Sequence, residues 1–336
     1  MSFSETVKNE LARVAPANPC CSTSELAGLV RAAGTIRIAA GGRVSLVVRV
    51  GQAQIARRAF LLLKEIAAGP VRMSVFRRLR LQRNNLFQVE APLDGVGAGD
   101  TGETGEPNAL TMLGLMDARG QFADALPAGV AKHACCRRAY LRGLFLGSGS
   151  VTDPGHDYHL EFVVATDKMA RAVAALVART VPGVSSHAVG VRQRGSTFSV
   201  YVKDADLINN FLKSVGASAG SLAMEQVRVL KDVRNDVNRR VNAETANLDK
   251  TVKASMEQIS CIRLIQSSMG LDHLPEHLQE VARLRLSMPQ ASLTEIGLRS
   301  KPHLSKSAVN YRMKRLKQLA RALERGESNG EVPWQS

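Results

Sequence analysis

At 336 residues, 45% of them hydrophobic, the chain is long enough for two or three domains with real cores, which excludes a largely disordered protein. Lysine and arginine number 45 against 30 acids, and the net charge of +15 favours a polyanionic partner such as nucleic acid or an anionic membrane surface. Membrane is the weaker choice: no apolar run reaches the roughly eighteen residues of a spanning helix, and the opening MSFSETVKNELARV carries acids where a signal peptide is basic and then apolar.

The expected location is therefore the cytoplasm, associated with the nucleoid. Aromatic residues make up only 4%, so single-strand binders that stack bases on aromatic platforms are disfavoured and double-stranded DNA is the preferred partner. Five cysteines, grouped as Cys20-Cys21, Cys135-Cys136 and Cys261, do not form a secreted disulfide framework and read as thiols.

An internal repeat organises the first two thirds of the chain. CCSTSELAGLVRAAGTI, from Cys20, returns as CCRRAYLRGLFLGSGSV, from Cys135, without insertion or deletion. Each copy is followed by an alternating run, RVSLVVRV or YHLEFVVA, with the period of a strand. An amphipathic stretch comes next, AQIARRAFLLLKEI or KMARAVAALVARTV, with the period of a helix. Two further strands flank the turn-prone RNN and RGS, and each half ends in a short apolar segment, ALTMLGLM or LINNFLKSVG. Each half thus reads as α-ββ-α-ββ-α.

The Gly-rich, acidic stretch at 92–107 has no periodicity and reads as a flexible connector. Two such halves predict one pseudo-two-fold α+β domain, joined where Gly28, Gly34, Gly143, Gly147 and Gly149 let the repeated helices approach closely.

LAGLVRAAG at 26–34 and LRGLFLGSG at 141–149 resemble the paired helices of LAGLIDADG homing endonucleases. In that family the residue before the final glycine is an acid, one from each helix, holding the divalent metals that activate water. This sequence has Ala33 and Ser148 at those positions, and neither supplies a carboxylate for a hard cation. The expectation is a DNA-binding relic without nuclease activity. An active nuclease would have to recruit other acids, such as Glu25 or Asp153.

Beyond GASAGS at 216–221 the chain turns helical through 222–275, with apolar residues at helical intervals predicting two or more helices. Within it VNRRVNAETANLDK is unusually rich in asparagine. Asn238, Arg239, Asn242 and Asn247 read either as helix caps or as phosphate contacts.

The last block is clearer. LPEHLQEVARLRLSMPQ predicts a helix stopped by Pro289, ASLTEIGL a short helix with Ser292 and Glu295 in a capping box, and SKSAVNYRMKRLKQLARAL a long third helix capped by Ser305. Three such helices are the form of a helix-turn-helix. Val309, Met313, Leu316 and Ala320 fall on one face and are expected to pack on Leu293, Ile296 and Leu298. Lys306, Ser307, Asn310, Tyr311, Lys314 and Arg315 lie on the other face, suited to a major groove because Asn and Arg pair with adenine and guanine edges. Arg299 and Lys301 extend the basic surface; residues 299–325 carry nine basic side chains against Glu324 alone.

SLTEIG and LSKSAVNYRMKRL resemble the helix-turn-helix of sigma factor region 4 and, more closely, that of the WhiA family. The stretch 301–305 departs from the sigma pattern by its length and its lack of glycine. CCRRAYLRGLFLGSGSV, DYHLEF and VNRRVNAETANLDKTV occur in the WhiA order, so the resemblance covers nearly the whole chain. It implies a degenerate LAGLIDADG domain followed by an all-α helix-turn-helix domain. It also implies a role in bacterial transcription tied to cell division, chromosome segregation or, in spore-formers, sporulation.

The resulting layout places the first half at 1–91, the connector at 92–107, that half's last helix at 108–118 and the second half at 119–221. A helical linker follows at 222–275, the helix-turn-helix domain at 276–325 with its motif at 292–325, and a disordered tail at 326–336.

Arg78, Arg80, Arg192 and Arg194 read as auxiliary DNA contacts on the strands, or equally as charges that blunt a sheet edge; Arg239 is a further candidate. The duplicated domain is alternatively a docking surface for RNA polymerase or a co-regulator. The paired cysteines, with His133, His156 and His159 nearby, lack the spacing of a metal clip, so no metal and no cofactor is expected. Each pair is expected to be buried at the start of its repeated helix. GSGS at 147–150 lacks the following Lys and Ser/Thr of a phosphate loop and reads as helix packing. No nucleophile paired with a base is visible, which favours a binding protein.

Overall fold

A computed structural model describes all residues except 40–42, 78–84, 94–108, 118 and 326–336. The chain divides into two compact units, Met1–Lys231 and Asp232–Ser336.

The first unit opens with α1 (Phe3–Leu11), started by a capping box between Ser2 and Glu5. Its first half runs α2 (Pro19–Ala33), β1 (Gly34–Ile38), β2 (Val44–Val50), α3 (Ala53–Lys64), β3 (Arg72–Arg77), β4 (Asn85–Leu93) and α4 (Ala109–Met112). After the short α5 (Ala128–Lys132), the second half runs α6 (Ala134–Ser148), β5 (Ser150–Val151), β6 (Leu160–Val164), α7 (Asp167–Thr180), β7 (Gly190–Arg194), β8 (Thr197–Val202) and α8 (Ala205–Val215). The antiparallel sheets have matching orders, β1-β2-β4-β3 and β5-β6-β8-β7, so the sequence repeat is a repeat of topology.

The two halves bury the same pattern. In α3 the buried apolar residues are Ile55, Ala56, Ala59, Leu62 and Leu63; in α7 they are Met169, Ala170, Val173, Leu176 and Val177, at identical offsets. That spacing lays one stripe of each helix on its sheet. In β2, Val44, Leu46, Val48 and Val50 point into the core while Arg49 stays exposed, as the two-residue period of a strand requires.

The central helices differ because they are enclosed on every side. Every residue from 25 to 30 and from 139 to 146 is buried. Phe145, Phe162 and Phe211 meet in a cluster with ring centroids 5.5 to 6.2 Å apart. Each fully buried large apolar side chain contributes on the order of 1.5–3 kcal/mol. α8 ends at Gly216 with φ of 97°, a left-handed conformation that glycine adopts without strain.

The sequence boundaries need correction at two places. Pro92 and Leu93 belong to β4, paired with Ser45 and Val44, so the strand extends into the expected connector. The segment expected to hold two or more helices is one long α-helix, α9 (Ser218–Ser268), which begins in the first unit and ends in the second, followed by a single 3-10 turn at Leu271–His273. The long helix contains no proline, and its one glycine, Gly220, lies in the first turn. There the carboxylate of Glu10, on α1, accepts the backbone N–H groups of Ala219 and Gly220 at 2.7 and 2.9 Å.

Asn238, Asn242 and Asn247 lie mid-helix and exposed, so they are not caps. Asparagine costs an exposed helix only a few tenths of a kcal/mol per residue, and ion pairs from Asp236 to Arg239 and Arg240 at i+3 and i+4 offset part of that.

The second unit packs the end of α9 with α10 (Glu276–Ser287), α11 (Leu293–Arg299) and α12 (Lys306–Glu324). Its core joins Ile262 and Ile265 of α9 to Leu278, Val281, Ile296, Val309, Met313 and Leu316. The helix-turn-helix core thus extends into the segment read as linker, since Ile262 and Ile265 lie buried within it. Among the described residues no helix is long and apolar enough to cross a membrane.

Candidate nucleic-acid interface

α12 divides its residues as the sequence reading expects. Val309, Met313, Leu316 and Ala320 are buried, with Leu319 joining them. Lys306, Asn310 and Lys314 form one exposed row at four-residue intervals, and Ser307, Tyr311 and Arg315 form the adjacent row. Lys306, Ser307, Asn310, Tyr311 and Lys314 are exposed, while Arg315 is half-buried. The Arg315 guanidinium lies 5.6 Å from the centre of the Tyr311 ring, and its Nε donates to Tyr311 Oη at 3.3 Å. The Ser305 side chain caps α12 by accepting the N–H of Ala308 at 3.2 Å. Arg299 and Lys301 are exposed at and just after the end of α11.

Not every basic residue of this helix faces outward. Arg312 Nη1 donates to the His277 carbonyl at 3.2 Å, and Lys317 pairs with Glu257 at 2.5 Å, so both tie α12 to its own domain. The expected partner Leu298 is 61% exposed, whereas Ile296 is fully buried. Two positions on a helix are about 200° apart, so the two cannot share one face.

α11 starts with the full capping box, Ser292 Oγ accepting from Glu295 N and Glu295 Oε2 accepting from Ser292 N. That backbone bond is the largest of the influences holding the Glu295 carboxyl below its ordinary range. The connector from α11 to α12 contains no glycine, yet the motif uses one. Gly297, inside α11, lies where an added Cβ would sit 2.2 Å from the Leu304 carbonyl oxygen. Its own carbonyl accepts the N–H of Leu304 at 2.9 Å.

Sequence reasoning also missed Arg285 of α10. It is 2% exposed, donates to the Ala291 carbonyl at 2.6 Å and reaches Ser255 Oγ of α9 at 3.4 Å. Burial lowers its affinity for a proton. The signal was present: Arg285 falls in register with Leu278, Val281 and Ala282, on the buried stripe of α10.

In the first unit, Ala33 and Ser148 end α2 and α6, each followed by a glycine C-cap with nearly the same extended conformation. The two helices cross at Gly28 and Gly143. A Cβ on Gly28 would sit 2.1 Å from the Tyr140 carbonyl oxygen, and one on Gly143 would sit 1.9 Å from that of Glu25. A Cβ on Gly147 would sit 2.4 Å from that of Ala32.

Glu25 is itself fully buried. Its Oε1 accepts Arg58 Nε at 2.6 Å, while Oε2 accepts Arg58 Nη2 at 2.9 Å and Arg142 Nε and Nη2 at 2.9 and 2.8 Å. Both oxygens of Glu25 accept from arginines and the side chain is fully buried, so the carboxylate is not presented to a substrate. It lies eight residues before Ala33, about 12 Å along the helix. Asp153 is exposed and accepts the N–H of Gly155 at 2.7 Å in a turn.

Arg192 and Arg194 are exposed on β7, and Arg194 pairs with Glu161 of β6 at 3.3 Å. In the first sheet, Arg37 pairs in the same way with Glu90 at 3.0 Å. Arg239 is exposed on α9 beside Asp236, whereas Arg78 and Arg80 lie outside the described residues.

The cysteine pairs do not occupy two separate burial sites. Because α2 and α6 start side by side, the sulfurs of Cys20, Cys21, Cys135 and Cys136 all lie within 4.8 Å of one another. Distant segments therefore do assemble, contrary to the inference from spacing. Cys20 is exposed, Cys135 half-buried, and Cys21 and Cys136 buried. Burial pushes the Cys21 thiol up to about 12 and raises that of Cys136, while the hydrogen bond from Cys21 lowers that of Cys135.

Three family models match the chain: the WhiA N-terminal LAGLIDADG-like domain at 19–97, the WhiA LAGLIDADG-like domain at 137–234 and the WhiA C-terminal HTH domain at 237–320. The chain is 40% identical over 333 residues to the probable cell division protein WhiA of Heliobacterium modesticaldum, covering 99% of each. It is 41% identical to that of Desulfitobacterium hafniense, covering 96% of this chain and 97% of the relative. The crystal structure of full-length WhiA from Thermatoga maritima superimposes with a TM-score of 0.56 at 26% identity, over 99% of this chain and 100% of that one. The chain belongs to the WhiA family, carrying its two LAGLIDADG-like halves and its C-terminal helix-turn-helix.

Proposed function

We propose that the chain is a sequence-specific, double-stranded-DNA-binding transcriptional regulator that acts in bacterial cell division. The observation that carries this reading is the division of α12 into a buried stripe and an exposed face of Lys306, Ser307, Asn310, Tyr311 and Lys314. Such a face offers the donors and acceptors that read base edges, and its cations neutralise phosphates. Arg299, Lys301 and Arg315 extend it. The link to cell division rests on the naming of the relatives, and chromosome segregation or sporulation follows as the process served. RNA polymerase or a co-regulator is the partner such a regulator engages, and the nucleoid is where it acts.

The LAGLIDADG-like domain serves as an auxiliary DNA or protein surface and not as a nuclease. Supporting this, Ala33 and Ser148 bring no carboxylate to the ends of the paired helices, and Glu25 is consumed by two arginines. Arg192, Arg194 and Arg239 are the described candidates for auxiliary contacts.

The test is selection of DNA sites by the full chain, followed by footprinting. A protected, salt-sensitive site whose sequence preference relaxes in Asn310→Ala upholds the reading. Equal binding to all sequences, or sustained magnesium-dependent nicking of supercoiled DNA, overturns it.

A further inference from the structure

We propose that Cys20, Cys21, Cys135 and Cys136 form a tetrahedral site for one zinc ion, clipping the first turn of α2 to the first turn of α6. Four sulfurs lie within 4.8 Å of one another. A zinc ion with four bonds of about 2.3 Å spaces its sulfurs about 3.8 Å apart, so closing this cluster needs only a small contraction. Four soft sulfur donors select zinc over magnesium or calcium, which take oxygen ligands. An iron–sulfur cluster is a poorer fit, since its cysteines must span inorganic sulfide as well as iron.

Packing alone does not account for the group. Cys21, Cys136 and Ala139, with Cys135 against them, form a cluster separate from the main core of the unit, and Cys20 is exposed. The helix ends favour thiolates, while burial of Cys21 and Cys136 opposes their ionisation until a cation binds. Neither N-cap, Asn18 of α2 or His133 of α6, makes a side-chain capping bond, so both positive helix ends are left to the sulfurs. A cleft of about 390 Å³ touches Cys21 and Cys135 and gives an approach from solvent; of the cations that line it, Lys213 pairs with Glu225, Arg142 pairs with Glu25, and Arg138 is exposed. Four thiolates and one zinc carry a net charge of −2, which Arg138 and the two helix ends offset in part; the thiols release their protons to solvent as the metal binds. The clip would fasten the two halves at the end of the seam opposite Ala33 and Ser148.

The experiment uses the full chain, purified under reductant, loaded with zinc and desalted. One equivalent of zinc per chain is expected, retained in Cys261→Ser and lost in Cys136→Ser. Cobalt in place of zinc should give thiolate-to-cobalt charge transfer and the intense visible bands of tetrahedral coordination. Since a serine variant can fail to fold, the unmodified chain carries a second arm: a strong chelator should lower its unfolding temperature, and zinc should restore it. Substoichiometric zinc, a pale octahedral cobalt spectrum, or zinc retained in Cys136→Ser overturns the proposal. So does a metal-free disulfide between the two helices in protein alkylated at lysis.

Discussion

The Glu25 carboxylate takes both Nε and Nη2 of Arg142 across the seam between α2 and α6, at 2.9 and 2.8 Å, 117 residues apart in sequence. Arg142 Nη1 continues to the Val215 carbonyl at 3.1 Å, and Arg58 closes the other side of Glu25. One side chain thus anchors both halves and the end of α8. Removing only the acid would leave two buried guanidinium groups unpaired. Glu25→Leu is expected to destabilise the first unit by about 3–5 kcal/mol. Denaturant unfolding followed by circular dichroism measures this, and a loss below about 1 kcal/mol would show that water reaches the arginines.

The glycines of the seam give a prediction opposite to helix propensity. Alanine is better than glycine in a helix by about 1 kcal/mol. Gly143→Ala nevertheless places a methyl 1.9 Å from a backbone oxygen, and is expected to cost at least about 1–3 kcal/mol. Gly129→Ala, in α5 with nothing within 4 Å, is the control and should be neutral or stabilising. Paired thermal melts compare the two, and equal shifts would show that the helices separate easily.

Gly297 makes the same argument for the helix-turn-helix. Gly297→Ala pushes against the Leu304 carbonyl and is expected to shift α11 relative to α12. DNA affinity should fall at least tenfold, about 1.4 kcal/mol. The thermal transition of the first unit should stay in place. Gel-shift titration beside a melt separates this from general unfolding.

Base and phosphate contacts should leave different signatures. Asn310→Ala should lower affinity for the preferred site by about 1–3 kcal/mol and relax preference at one position. Lys314→Ala should weaken binding to all sequences and reduce the slope of log affinity against log salt by about one. Titrations at several salt concentrations distinguish them, and identical profiles would exclude this division of labour.

Lys8 supplies a pH prediction. Burial lowers its pKa from 10.5 to about 8, the charge of Glu5 opposing the shift, and its Nζ lies 5.8 Å from the centre of the Phe145 ring. Between pH 8 and 10.5 the unfolded chain binds more protons at this residue than the folded one, so its contribution to stability rises with pH across that window. Below pH 8 the penalty is fully present. Lys8→Met should stabilise the protein at neutral pH on the order of 1–2 kcal/mol and remove this part of the pH dependence. Stability of both proteins measured from pH 7 to 10.5 tests it; a constant difference between them would refute the assignment.

The duplication and the helix-turn-helix were legible in sequence because both are written in local periodicity. The matching offsets of α3 and α7, the capping box at Ser292 and Glu295, and the stripe from Val309 to Ala320 each follow from spacing within one element. The asparagines of α9 misled because their local hydrogen-bonding habit resembles capping, while continuous backbone bonding and the ion pairs of Asp236 outweigh it.

By itself the sequence determined the repeated unit, the absence of carboxylates at Ala33 and Ser148, and the polarity of α12. Only the tertiary structure decided that Glu25 is bound by two arginines, that Arg285 is buried, and that four cysteines from positions 115 residues apart share one site. The physical reason is that burial and charge pairing depend on which helix faces are brought together. Here that is set by the close crossing of α2 and α6 at Gly28 and Gly143: the repeated glycines pointed to the approach, but not to the side chains it brings together.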